Sequence, residues 1–77
     1  MANVVFFSAS GCNLCERALE VVREAQVELG FELQVVDIAG DAALEARYRE
    51  LLPVVEIDGV QAFTYFVDPD ALRSRLA

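Results

Sequence analysis

Two cysteines, Cys12 and Cys15, are the only thiols in a chain of 77 residues that has no histidine. Residues at i and i+3 on a helix lie on one face, about 5–6 Å apart, and that separation is within reach of a disulfide. A bridge closing so short a loop removes little entropy from the unfolded chain, about 2 kcal/mol against ~3 kcal/mol for a loop of about 15 residues. Such a pair is a poor staple, and redox cycling is the use its spacing suits. Cys12 stands where a helix would start, and unpaired backbone N–H groups there favour an anion, which makes it the attacking thiolate. A helix terminus lowers a thiol by at most about 1.5 in pKa. No lysine or histidine flanks the motif, Arg17 is more than a turn away, and Glu16 opposes a thiolate at Cys15, so Cys12 is expected to titrate at about 6.5–8.

Two other uses of the pair stay open on the residues alone. A cysteine is often a small buried hydrophobe, which would leave a redox-inactive interaction module. Zinc or an iron–sulfur cluster usually takes four protein ligands. With two thiols and no histidine, a metal site here needs a dimer or glutathione to complete it, and none is expected within one chain.

The elements that must hold the pair can be read outward from it. Val4-Val5-Phe6-Phe7 is an unalternated apolar run, as in a strand covered on both faces, and the Ser-Ala-Ser-Gly turn brings Cys12 to the next element. Leu14, Ala18, Val21, Val22, Ala25 and Leu29 recur at helical spacing from Asn13 to Leu29, with Gly30 as C-terminal cap. Glu16, Glu20, Glu24 and Glu28 make the opposite, solvated face. Phe31 to Ile38 alternates and reads as a second strand, parallel to the first because a right-handed helical crossover joins them.

Asp41 caps a second helix reaching Leu51, with Glu45 near the capping-box position and Ala43, Leu44, Tyr48 and Leu51 facing inward; Pro53 stops it. Val54 to Ile57 and Val60 to Phe66, joined by Asp58-Gly59, form a hairpin with a type I′ turn. Asp68-Pro69-Asp70 opens a last helix with apolar Leu72 and Leu76. The order is β-α-β-α-β-β-α. Phe6, Phe7, Phe31, Tyr48, Phe63 and Tyr65 are core candidates, with Tyr65 or Phe66 able to border a groove, and Arg47 and Arg49 are surface residues able to hold an anion.

Length and charge bound the rest. Residues 1–77 make one small domain, able to bury only about 60% of its unfolded surface. A formal charge of −7, thirteen acids against six arginines, argues against nucleic acid, which needs clustered positive charge. No apolar run approaches the ~20 residues of a membrane span. Met1-Ala2-Asn3 lacks a basic region, so no signal peptide is expected and the cytoplasm is the default.

The element order, the Cys-x-x-Cys at the first strand-to-helix junction and the proline opening the third strand resemble the α/β thioredoxin-like fold, and the short length resembles a glutaredoxin. Ser8-x-x-Gly11-Cys12-Asn13-Leu14-Cys15, Val36-Asp37-Ile38, Leu52-Pro53-Val54-Val55, Asp58-Gly59 and Phe66-Val67-Asp68 together are similar to small bacterial glutaredoxin-like proteins. The resemblance covers nearly the whole chain. It implies a four-stranded mixed sheet with helices on both faces and thiol–disulfide oxidoreductase activity, with Cys12 as exposed nucleophile and Cys15 as buried resolving thiol. Pro53 would be a cis-proline facing the disulfide, and the Leu52 backbone would pair with an extended substrate.

By the same resemblance, Gly11, Asn13, Leu52, Pro53 and Asp68 border the substrate. That substrate would be a disulfide-containing protein or a glutathione mixed disulfide, and the electron donor a reductase or glutathione; no resident cofactor is required. The chain departs from the family at Asn13-Leu14, where glutaredoxins commonly carry Pro-Tyr. It departs again at Tyr65-Phe66-Val67-Asp68, which replaces the Gly-Gly-x-Asp that takes a glutathione carboxylate. Glutathione would be left with Asp68 or the adjoining backbone N–H groups.

Overall fold

A computed structural model describes residues 2–77, and Met1, where the reading of the N-terminus begins, lies outside them. Strand β1 (Asn3–Ser8) leads into helix α1 (Asn13–Leu29), followed by β2 (Glu32–Asp37), α2 (Ala42–Tyr48), a single 3₁₀ turn at Arg49–Leu51, the hairpin β3 (Val54–Ile57) and β4 (Val60–Thr64), and α3 (Pro69–Leu76). The sheet order is β2-β1-β3-β4. β1 runs parallel to β2 and antiparallel to β3, and β3 is antiparallel to β4. This is the four-stranded mixed sheet of the thioredoxin-like fold.

Because successive strand residues point to opposite faces, the apolar run of β1 divides between two cores. Val4 and Phe6 join Val55 and Ile57 of β3 on the face covered by α1 and α3, while Phe7 joins Val54, Ile38 and Tyr48 on the face covered by α2. Central position and two-sided cover explain why the run does not alternate.

The ends of the elements follow local chemistry. Gly30 takes φ +74° and its N–H donates to the Gln26 carbonyl at 2.7 Å, closing α1. Asp58 and Gly59 take φ +50° and +83° between the paired residues Ile57 and Val60, the two positive values a type I′ turn requires. Asp41 accepts from the Leu44 N–H at 3.1 Å and Asp68 from the Asp70 N–H at 3.1 Å, capping α2 and α3.

Several expectations need correction. The second helix ends at Tyr48 and tightens into a 3₁₀ turn before Leu52. Glu45 pairs with Arg49 one turn on rather than closing a capping box. Ala43 is exposed, since the inward face of so short a helix is served by Leu44 and Tyr48. β2 is an edge strand and its alternation is lost: Val35 is 41% accessible. Glu28 is not purely solvated, because the Arg73 guanidinium of α3 donates to it, which ties α3 to α1 and raises Arg73 above its ordinary range.

Candidate active site

The loop from Ser8 to Cys12 must reverse the chain in a few residues, and Gly11 does so at φ +79°. A Cβ built there meets nothing within 4 Å, so the demand for glycine comes from the backbone alone. Cys12 then takes an extended conformation (φ −89°, ψ 101°) as the N-cap of α1. Its carbonyl accepts from the Glu16 N–H at 3.2 Å, and its Sγ accepts from the Cys15 N–H, also at 3.2 Å. A sulfur thus occupies the place that a serine or aspartate oxygen fills in an ordinary cap. When the pair is reduced, that N–H and the helix start favour negative charge on Cys12.

Cys12 and Cys15 are joined in a disulfide with their α-carbons 5.2 Å apart. The two sulfurs differ in access. Cys15 is 3% accessible and packs with Ala18, Val22 and Leu72, whereas Cys12 lies half-buried at the rim of the same cluster. A shallow depression lined by Ser10, Gly11, Cys12 and Glu16 opens beside it. A group arriving from solvent therefore meets the Cys12 sulfur first.

Of the other residues expected to border a substrate, Gly11 and Asn13 are exposed on either side of Cys12. Leu52 is half-buried and packs against the cluster that holds both cysteines. Its peptide bond to Pro53 is cis, and Pro53 is buried. The carbonyls of Leu51 and Pro53 both accept from the Tyr65 N–H, at 3.2 and 3.0 Å, and the 3₁₀ turn closes on Leu52, whose C=O has no hydrogen-bond partner among the described residues. That carbonyl is free to accept from an extended chain. Asp68 lies exposed at the start of α3, next to Val67 of the cluster that holds Cys15, with one carboxylate oxygen accepting from the Asp70 N–H. Arg49 is paired with Glu45, and Arg47 lies over the Tyr48 ring at 5.4 Å, so neither is an uncommitted anion site.

The clearest departure lies after β4. Tyr65, expected first in the core, is 51% accessible, and Phe66 is 70% accessible. Tyr65 holds φ +66°, and the Phe66 N–H donates across it to the Thr64 carbonyl at 2.7 Å in a three-residue turn. Left-handed backbone costs a non-glycine residue about 1–2 kcal/mol. The turn ends β4 early and swings both rings outward while Val67 remains buried. Leu14 is also exposed, because Cys15, Ala18, Val22 and Ala25 form the buried stripe of α1 and Leu14 lies to one side of it. The sequence signal was present in Tyr65-Phe66-Val67, three apolar residues in a row where a half-buried strand would alternate.

Among the described residues no three histidine, cysteine or acidic side chains gather as metal ligands, and no helix is long and apolar enough to cross a membrane.

A mixed sheet with a Cys-x-x-Cys disulfide at its first strand-to-helix junction defines a small protein of the thioredoxin superfamily. Within that class the chain belongs to the glutaredoxin-like family: the model of the Glutaredoxin-like domain (DUF836) matches residues 3–77. An uncharacterized protein of Mycobacterium tuberculosis is 33% identical over 79 residues, which covers 96% of this chain and 81% of the relative. The solution structure of protein Ne2328 from Nitrosomonas europaea superposes with a TM-score of 0.82 at 29% identity, covering 99% of this chain and 92% of that one. A mutant thioredoxin from Halobacterium salinarum shares the fold at a TM-score of 0.73 and 22% identity, covering 97% of this chain and 71% of that one.

Proposed function

We propose that the protein is a dithiol–disulfide oxidoreductase that acts on a protein disulfide or a glutathione mixed disulfide. The observation that carries this reading is the asymmetry of the pair: a half-buried Cys12 whose sulfur accepts from the Cys15 N–H at the mouth of α1, bonded to a Cys15 sealed in apolar packing. In the reduced protein the Cys12 thiolate attacks one sulfur of the substrate disulfide. That S–S bond breaks, the first substrate thiolate leaves, and a Cys12–substrate mixed disulfide forms. Cys15 then gives up its proton and attacks the Cys12 sulfur, which releases the second substrate thiolate and closes the Cys12–Cys15 bond. Two electrons have passed from the dithiol to the substrate, and of its two leaving thiolates one takes the Cys15 proton and the other takes a proton from solvent. An external dithiol reductase or two molecules of glutathione must return them, a supply that fits a cytoplasmic setting.

The unpaired Leu52 C=O supports the extended pose such a substrate needs. Glutathione fits this site less well than it would fit the family's Gly-Gly-x-Asp, since Asp68 already uses its carboxylate on its own helix and Phe66 stands in place of a glycine.

The test is reduction of insulin disulfides with a dithiol as terminal donor. The native protein is expected to turn over, Cys12→Ser to lose all turnover, and Cys15→Ser to accumulate the mixed disulfide, seen as added mass in non-reducing mass spectrometry. A Cys12→Ser protein as active as the native one overturns the proposal.

A further inference from the structure

Thiol exchange by itself does not need a second groove, one that touches neither cysteine but reaches the motif at Leu14, between them in sequence. It has a volume of about 290 Å³ and runs between α1 and the segment after β4, with Leu14, Val21, Tyr65 and Phe66 as apolar walls and Arg17 as its charged side chain. At about the lower limit of small-molecule sites, it suits a side chain or two better than a large cofactor.

Three observations set it apart. Six large hydrophobic residues are exposed among the described residues, and Leu14, Tyr65 and Phe66, half of them, meet here; such clustering marks an interaction surface, whereas scattered exposed apolar residues do not. Tyr65 keeps a left-handed backbone that glycine would adopt freely, and the result is two aromatic rings held out to solvent. Arg17 is the one charged side chain on the groove's wall, and like Arg23, Arg47 and Arg75 it makes no ion pair among the described residues. In a chain of charge −7, a cation left uncommitted at the edge of an apolar groove is complementary to a carboxylate from outside. A second copy of so acidic a chain is a poor source for it, because the two copies repel.

We propose that this groove selects the substrate: it takes the stretch of polypeptide next to the attacked cysteine, seating one bulky apolar side chain against Leu14 and Phe66 and an acidic side chain at Arg17. The inference rests on the thiol–disulfide reading above and narrows its substrates to protein disulfides with an apolar and an acidic neighbour. Glutathione can offer a carboxylate to Arg17 but has no bulky apolar group to cover the aromatic walls.

The test uses two disulfide-bridged peptides of one sequence that differ only beside a cysteine, Phe-Asp in one and Ala-Asn in the other, together with linear versions carrying serine for cysteine. The native protein is expected to reduce the Phe-Asp peptide with a kcat/KM about 10- to 100-fold higher, the range that apolar pocket contacts supply. The oxidised protein is expected to bind the linear Phe-Asp peptide in preference, with NMR shifts at Leu14, Tyr65 and Phe66. Phe66→Ala, at a site too exposed to affect folding, collapses the ratio. Arg17→Gln removes the part that depends on Asp over Asn, and Val27→Ala, exposed elsewhere on α1, leaves the ratio as it was. Equal reduction and equal binding of the two peptides, or a ratio that survives Phe66→Ala, overturns the groove and spares the oxidoreductase reading. Preferential binding without reduction of either disulfide does the reverse.

Discussion

On the face of the sheet under α1 and α3, a single apolar cluster runs from Val4 and Phe6 through Cys15 and Val22 to Val67 and Leu72, whereas the face under α2 buries only Phe7, Ile38, Tyr48 and Val54. The larger core contains no polar side chain. The smaller one is built around a hydrogen bond from the Tyr48 hydroxyl to Glu56 at 2.7 Å, with the Tyr48 ring stacked on Phe7 at 4.3 Å between centroids. The contrast shows how a small domain separates its tasks. Cys15 lies in the dry core, where an anion would have neither water nor a cation beside it, while Cys12 at the rim has a helix N–H and access to solvent. The α2 face closes the other side of the sheet and holds none of the sulfur chemistry.

Breaking the larger core should have the greatest effect. Leu72 is fully buried and is the one buried side chain of α3, so Leu72→Ala is expected to lose about 2–5 kcal/mol. That approaches the whole stability of a small domain, about 5 kcal/mol, and a urea titration should find a largely unfolded protein at 37 °C. A loss under about 1 kcal/mol would mean that the two faces are not unequal in the way described.

The smaller face should respond less. Tyr48→Phe removes a hydrogen bond to a charged group and is expected to lose about 1–2 kcal/mol. It should also change the pH profile. The hydrogen bond to Glu56, followed by burial and the carboxylate's charge, raises the Tyr48 pKa above that of a free tyrosine. A raised folded-state value stabilises the fold below the unfolded pKa of about 10, and this contribution is lost as pH rises through the raised value. Urea midpoints of the oxidised protein should therefore fall above about pH 10 in the native chain and fall less in Tyr48→Phe. The smallest effect is expected at the α2 cap, where Asp41→Ala loses about 1 kcal/mol while disulfide turnover per folded molecule is unchanged, since α2 carries no site residue.

Much of the fold was legible because its signals are short-range. Gly30, Asp58-Gly59 and Asp68-Pro69 each state a backbone requirement that no distant residue alters. The unalternated Val4–Phe7 run correctly implied a central strand. Less legible were the places where a neighbour in space decides. Val35 alternates like a buried residue, but β2 lies at the edge of the sheet. Leu14 has helical spacing with Ala18, yet Cys15, three residues before Ala18 and seven before Val22, takes the inward position on the stripe that the sheet covers. The site divides in the same way. Cys12 and Cys15 were evident from their spacing, while the free carbonyl of Leu52 and the outward turn of Tyr65-Phe66 depend on how the hairpin meets the segment before Pro53.

By itself the sequence determined the order of the elements, their caps and the pairing of two thiols a helical turn apart, because each of these is settled within a few residues by backbone geometry. Only the tertiary structure decided which apolar residues stay outside the core, and that Arg17, Leu14 and Phe66 share one groove. Those outcomes depend on which surfaces the packed sheet and helices cover, and burial is a property of the whole assembly of elements.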